Sequence, residues 1–152
     1  MEPIASFQVD HRTLNPGLYL SRRDGSVITF DLRFKKPNTG DLLTNAQLHS
    51  VEHIIATLLR NSPQKDAVVY FGPMGCQTGF YFLFDSDILP LSEAIQLLKD
   101  VFSAGAAWQS EMPGKSAAEC GNYRNLSVEL AREQCGSYAK LIRDWSTDQL
   151  SY

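Results

Sequence analysis

Between Thr44 and Pro63 the chain commits to a helix, and that helix carries much of the chemistry that can be read from it. Thr44 followed by Gln47 has capping-box spacing, in which each side chain satisfies an orphan N–H of the first turn. Leu48, Val51, Ile55, Leu58 and Leu59 recur at the helical period, and Asn61-Ser62-Pro63 ends the run. An apolar face implies packing against other elements, and a packed helix is a rigid platform of the kind metal ligands need. His49 and His53 stand four apart on it, so both imidazoles reach toward one point. The chain has only three histidines, and two of them make this spacing. Neutral imidazole suits a first-row ion such as Zn²⁺ or Fe²⁺. Glu52, three positions after His49, lies near the same face as either a further ligand or a carboxylate that moves protons. The alternative is a helix that happens to display two solvated histidines.

The remaining pattern predicts an α+β fold in a single domain spanning residues 1–152, mainly an antiparallel sheet packed against helices. Ser6-Phe7-Gln8-Val9 alternates polar and apolar and reads as a short edge strand. Leu18 to Arg22 reads as a second strand after the Asn15-Pro16-Gly17 turn. Val27 to Phe34 is the clearest strand, with Ile28, Phe30, Leu32 and Phe34 on one side and Thr29, Asp31 and Arg33 on the other. Arg33 on the non-core face is either a solvated charge or an anion clamp, and spacing alone favours the former. Two apolar strands, Ala67 to Phe71 and Phe80 to Phe84, flank a glycine-rich loop from Gly72 to Gly79 that contains Cys76. A thiol in such a loop, instead of within a strand, points to function. Helices are expected over Ser92 to Ala107 and after Ser127, the second with Val128, Ala131, Cys135, Leu141, Ile142 and Trp145 on its apolar side.

Net charge is −3 with no clustered basic face, which argues against a general nucleic-acid binder. No apolar run is long enough to span a bilayer, so no membrane partner is expected. Met1-Glu2-Pro3-Ile4 lacks the pattern of a secretory signal, and three cysteines without framework spacing fit a reducing compartment. Together these predict a cytoplasmic protein. Two histidines make an incomplete metal site, and catalytic sites commonly use three protein ligands. Cys76, Cys120, Cys135, His11 and many carboxylates are all candidates for the third, and spacing does not choose among them.

Five collinear stretches supply a resemblance that does choose. His49-Ser50-Val51-Glu52-His53, Pro73-Met74-Gly75-Cys76-Gln77-Thr78-Gly79-Phe80-Tyr81 and Glu119-Cys120-Gly121-Asn122-Tyr123 resemble the S-ribosylhomocysteine lyase (LuxS) family. Ser6-Phe7 with Asp10-His11, and Phe30-Asp31-Leu32-Arg33-Phe34 with Pro37-Asn38, resemble its remaining signatures. The resemblance implies His49, His53 and Cys120 as ligands of a divalent metal, Fe²⁺ replaceable by Zn²⁺ or Co²⁺. It implies Glu52 and Cys76 as the acid/base pair, and Ser6, His11, Arg33 and Arg60 as substrate-binding residues. It further implies a homodimer with the site at the subunit interface. The implied reaction cleaves the thioether of S-ribosylhomocysteine to homocysteine and 4,5-dihydroxy-2,3-pentanedione, the precursor of autoinducer-2, by carbonyl migration and β-elimination. Each step moves a proton next to a carbonyl, which suits a Lewis-acidic ion flanked by a carboxylate and a thiolate. Two positions depart from the family: Leu126 stands where a histidine is frequent, and Tyr70 where an acidic residue is common. The competing readings are a metallopeptidase of the inverted His-x-x-Glu-His type, drawing a third ligand from Glu93, Glu119, Glu129 or Glu133, and a catalytically silent metal-binding relative.

Overall fold

A computed structural model describes residues 1–152. A helical turn, α1 (Ala5–Gln8), precedes strands β1 (Gly17–Asp24) and β2 (Val27–Arg33). Helix α2 (Asn45–Arg60) follows, then β3 (Val68–Pro73), β4 (Gly79–Asp85), α3 (Leu91–Ala106) and α4 (Val128–Ile142). The strands form one antiparallel sheet in the order β1-β2-β4-β3. Ile28, Phe30, Leu32, Phe80, Phe82 and Phe84, all on one face, are fully buried beneath the helices. Helix α2 lies against β3, α3 and α4, so the expected α+β architecture is the observed one.

The capping box at Thr44 and Gln47 is present in both directions, and Asn61 closes the helix. Ile54, absent from the expected apolar face, is fully buried, whereas Leu58 is only half-buried. In α4 the fully buried side chains include Cys135 and Tyr138, while Leu141 turns toward solvent. Tyr138 earns burial because its hydroxyl donates to the Gly17 carbonyl at 2.9 Å and its ring stacks on Phe34 at 4.1 Å. Burial pushes the Cys135 thiol up to about 12, so this sulfur is a packing atom. Across from it α3 presents Gly105, where a Cβ would come within 2.8 Å of the Cys135 sulfur. The two helices approach closely because that side chain is missing.

Two sequence expectations fail. Ser6 to Val9 is not an edge strand: Ala5–Gln8 makes a single helical turn, with the Phe7 amide donating to the Ile4 carbonyl. The outer edge of β1 is met elsewhere, where Leu20 donates to the carbonyl of Leu150. The second failure concerns β2, whose polar face is buried as deeply as its apolar one: Thr29, Asp31 and Arg33 are 7%, 1% and 3% exposed. β2 is an interior strand, and its neighbours Tyr19 and Tyr81 sit directly across from Asp31 on either side. Arg33 is thus no solvated charge.

Candidate metal centre

His49 and His53 project from α2 with ring centroids 4.6 Å apart and planes nearly perpendicular. Cys120 approaches from the segment between α3 and α4, its amide donating to the Ser116 carbonyl. Its sulfur lies 3.3 Å from His49 Nε2 and accepts from the Asn122 amide at 3.4 Å. One ligand atom from each of the three residues falls within 4.8 Å of the other two. Bond lengths of about 2.0–2.1 Å to nitrogen and about 2.3 Å to sulfur put the donors of one ion no more than about 4.4 Å apart, so the three side chains would draw together slightly around it. No other group of three or more histidine, cysteine or carboxylate side chains comes together in this way.

The ring orientations are fixed from behind. Asn125 Oδ1 accepts from His49 Nδ1 at 2.6 Å, and the Asn125 amide nitrogen donates to Asn45 Oδ1 at 2.7 Å. The carbonyl of Pro113 accepts from His53 Nδ1 at 2.8 Å. With both Nδ1 atoms serving as donors, each neutral ring keeps its Nε2 lone pair for an ion. Gly114 has φ +69°, and a Cβ there would come 3.0 Å from His53 Nδ1, so this turn seats the ring only as glycine. Asn125 and Pro113 escape sequence reading because they lie 76 and 60 residues from their histidines. Asn45 was legible in principle, four positions before His49 on the same helix face. Asn125→Leu is expected to lower metal affinity by about ten-fold or more, measured by competition with a chromogenic chelator. Unchanged affinity would deny Asn125 its orienting role.

His49 and Glu52 open on a cavity of about 450 Å³ that Met74, Gly75, Gln77 and Asn122 also line. Cys76 belongs to a different cavity of about 530 Å³, which it shares with Phe7, His11, Leu42 and Thr78. Successive residues of the Gly75–Thr78 loop therefore face alternate cavities. Phe7 is 74% and Leu42 43% exposed at the second one.

A buried polar network backs the thiol. Arg33 Nη2 donates to Asp31 Oδ2 at 2.6 Å and Nη1 to Thr78 Oγ1 at 2.7 Å, with Cys76 Sγ 3.9 Å from Nη1. Thr78 Oγ1 and Cys76 Sγ are 3.1 Å apart. Guanidinium has no acceptor, so Thr78 accepts from Arg33 and keeps its own proton for sulfur. Burial alone would lower the proton affinity of Arg33; the charge and hydrogen bond of Asp31 outweigh it and hold the guanidinium above its ordinary value. Its cross-strand neighbours are Gly17 and Gly79, which place no side chain beside its stem.

Of the residues expected at the site, His49 and Glu52 line the first cavity, with His53 and Cys120 grouped beside His49; His11 and Cys76 line the second, with Arg33 behind the Cys76 sulfur. Ser6 lies in α1 beside Phe7. His11 Nδ1 is bonded to the Val9 carbonyl at 2.8 Å. Arg60 spends its guanidinium on the carbonyls of Val68 and Val69, both at 2.8 Å, tying the end of α2 to β3. Of the two departures, Leu126 is a core residue, and Tyr70 is half-exposed with its ring over Gly72.

Comparison with known proteins agrees along the whole length. A family model described as S-Ribosylhomocysteinase (LuxS) matches residues 4–149. The S-ribosylhomocysteine lyase of Desulfotalea psychrophila is 44% identical over 158 residues, covering 100% of this chain and 99% of that protein. Those of Clostridium acetobutylicum and Borreliella burgdorferi are each 40% identical over 157 residues, with the same coverage.

Proposed function

Since the chain belongs to the S-ribosylhomocysteinase (LuxS) family, we propose that it cleaves the thioether of S-ribosylhomocysteine, releasing homocysteine and the autoinducer-2 precursor 4,5-dihydroxy-2,3-pentanedione. The observation that carries this reading is the pairing of a His-His-Cys ligand set and Glu52 with a second, cation-backed cysteine. A divalent ion held by His49, His53 and Cys120, Fe²⁺ with Zn²⁺ or Co²⁺ as substitutes, supplies Lewis-acid polarisation of substrate oxygens worth several kcal/mol. Cys76, as a thiolate facing Arg33, takes a proton from carbon next to the sugar carbonyl and returns it to the neighbouring carbon. Glu52 moves protons at the metal-side cavity and protonates the departing sulfur of homocysteine. Thr78 and Arg33 orient the Cys76 sulfur, Ser6 and His11 bind substrate, and Arg60 does so through the N–H groups left over from its bonds to the Val68 and Val69 carbonyls. A purely structural metal site needs neither Glu52 nor Cys76. A peptidase of the inverted type draws a glutamate as third ligand, whereas the residue beside the two histidines is Cys120.

The active enzyme is a homodimer with the site at its interface. Support comes from the two cavities: one substrate meets both Glu52 and Cys76 when the metal face of one copy covers the thiol face of another. Exposed Phe7 and Leu42 at the thiol cavity give that contact an apolar component. The protein acts in the cytoplasm, a reading supported by its three free cysteines; no helix is long and apolar enough to cross a membrane.

Incubation of Fe²⁺- or Co²⁺-loaded protein with S-ribosylhomocysteine and a thiol reagent tests the activity directly. Release of homocysteine is expected, and its absence would sink the proposal. Mixing tests the assembly. Glu52→Gln and Cys76→Ala, each inactive alone, should regain about a quarter of wild-type activity after co-refolding, because half the dimers are mixed and each carries one intact site. If both residues acted within one copy, the mixture would stay inactive.

A further inference from the structure

Resting on the reading of Cys76 as an acid/base group, we propose that Tyr152 is a positioning residue for the Cys76 thiolate, acting through Asp31 and Arg33. The Tyr152 hydroxyl donates to Asp31 Oδ2 at 2.7 Å, the same oxygen that Arg33 Nη2 holds at 2.6 Å. Asp31 is 1% exposed, and its other oxygen, Oδ1, has no hydrogen-bond partner. Two donors therefore hold a carboxylate that burial would otherwise penalise heavily. Arg33 Nε is also unpartnered, so the guanidinium is fixed only through its two terminal nitrogens. One of them grips Asp31. The other grips Thr78 and faces the Cys76 sulfur.

This geometry gives the tyrosine leverage on the thiol. Part of the Asp31 charge is satisfied by Tyr152, and that share does not neutralise Arg33. Without the hydroxyl, Asp31 draws Arg33 more fully, the cation offers less to sulfur, and Nη1 loses its fixed aim. The charged groups of the network are the ion-paired Asp31 and Arg33, and the Cys76 sulfur faces Arg33. The titratable groups around them are Tyr19 from β1, Tyr81 from β4, Tyr138 from α4, Tyr152 itself and His11 of the thiol cavity. The four tyrosines are all held above their ordinary value, by burial first and by the Asp31 charge second, so they stay neutral at physiological pH. The ring of Tyr152 stacks on Tyr19 at 5.0 Å, which keeps the hydroxyl aimed inward although the residue is 45% exposed.

The test is site-resolved alkylation of metal-loaded full-length protein. Iodoacetamide labelling of Cys76 is followed by mass spectrometry as a function of pH, which requires no substrate. Tyr152→Phe keeps the stacked ring and removes only the hydroxyl. The midpoint of Cys76 labelling should move upward by about half a pH unit, with circular dichroism and metal content unchanged. A labelling profile identical to wild type would overturn the proposal. So would a shift seen in Tyr152→Ala but not in Tyr152→Phe, because the ring rather than the hydroxyl would then be responsible. Should Cys76→Ala retain full lyase activity, the acid/base reading fails, yet the labelling profile still reports whether Tyr152 governs the sulfur.

Discussion

Cys76→Ala is expected to reduce homocysteine release by about three orders of magnitude while leaving metal content at the wild-type level. The size follows from the loss of a positioned proton-transfer group, worth about 10²–10⁴-fold in a single step. The two carbonyl shifts and the elimination each need a proton moved at carbon, and Glu52 alone has to serve them in this variant. Metal retention follows from the architecture: Cys76 opens on a cavity separate from the one containing His49, and the ligand atoms come from α2 and Cys120. Stability should change little, because Cys76 is exposed and its loss leaves Thr78 still bonded to Arg33. Full activity in the variant would reject the mechanism, and joint loss of metal would reject the separation of the two sites. Metal analysis and a thiol-release assay on the same preparation decide both.

Cys120→Ala should have the opposite signature. A thiolate ligand is removed, the His49–His53 pair remains, and two imidazoles hold a divalent ion far more weakly than three donors do. We expect the purified variant to carry no stoichiometric metal and to show no measurable activity. Its melting temperature should match that of chelator-treated wild type, since an ion bound only to the native state stabilises by mass action and that contribution disappears in both. A variant that retained metal at wild-type stoichiometry would show that another residue completes the site. Glu52 is the obvious candidate, so Cys120→Ala combined with Glu52→Gln separates the cases.

The central helix was legible because its signals are local. The capping pair, the apolar stripe, the His49–His53 spacing and the stop at Asn61 all fall within one stretch, where period and chemistry reinforce each other. Cys135 as a core residue and the Ser127 cap were readable for the same reason. The third ligand was different. Nothing in the spacing separates Cys120 from Cys76, since the choice depends on how the segment after α3 folds back on α2; likeness to a family supplied that long-range information. Arg33 misled because alternation tells which residues share a face, not whether that face is covered. The face is covered by tyrosines from β1 and β4 and by Tyr152, 121 residues from Asp31. Ser6 to Val9 misled because a four-residue alternation fits a strand only when an edge accepts it.

The three sulfurs are sorted by depth, and that order sets how the protein fails under oxidative stress. Cys135 is sealed between α3 and α4 and stays protonated at any physiological pH. Cys76 is exposed, and Cys120 is half-buried. Peroxide attacks accessible thiolates first. It would therefore reach the two cysteines on which the chemistry depends before the one that supports the helices. Damage of this kind leaves a folded, inert molecule; reduction of the sulfenic acid or mixed disulfide would restore Cys76 directly, and Cys120 once metal is bound again, in neither case with refolding.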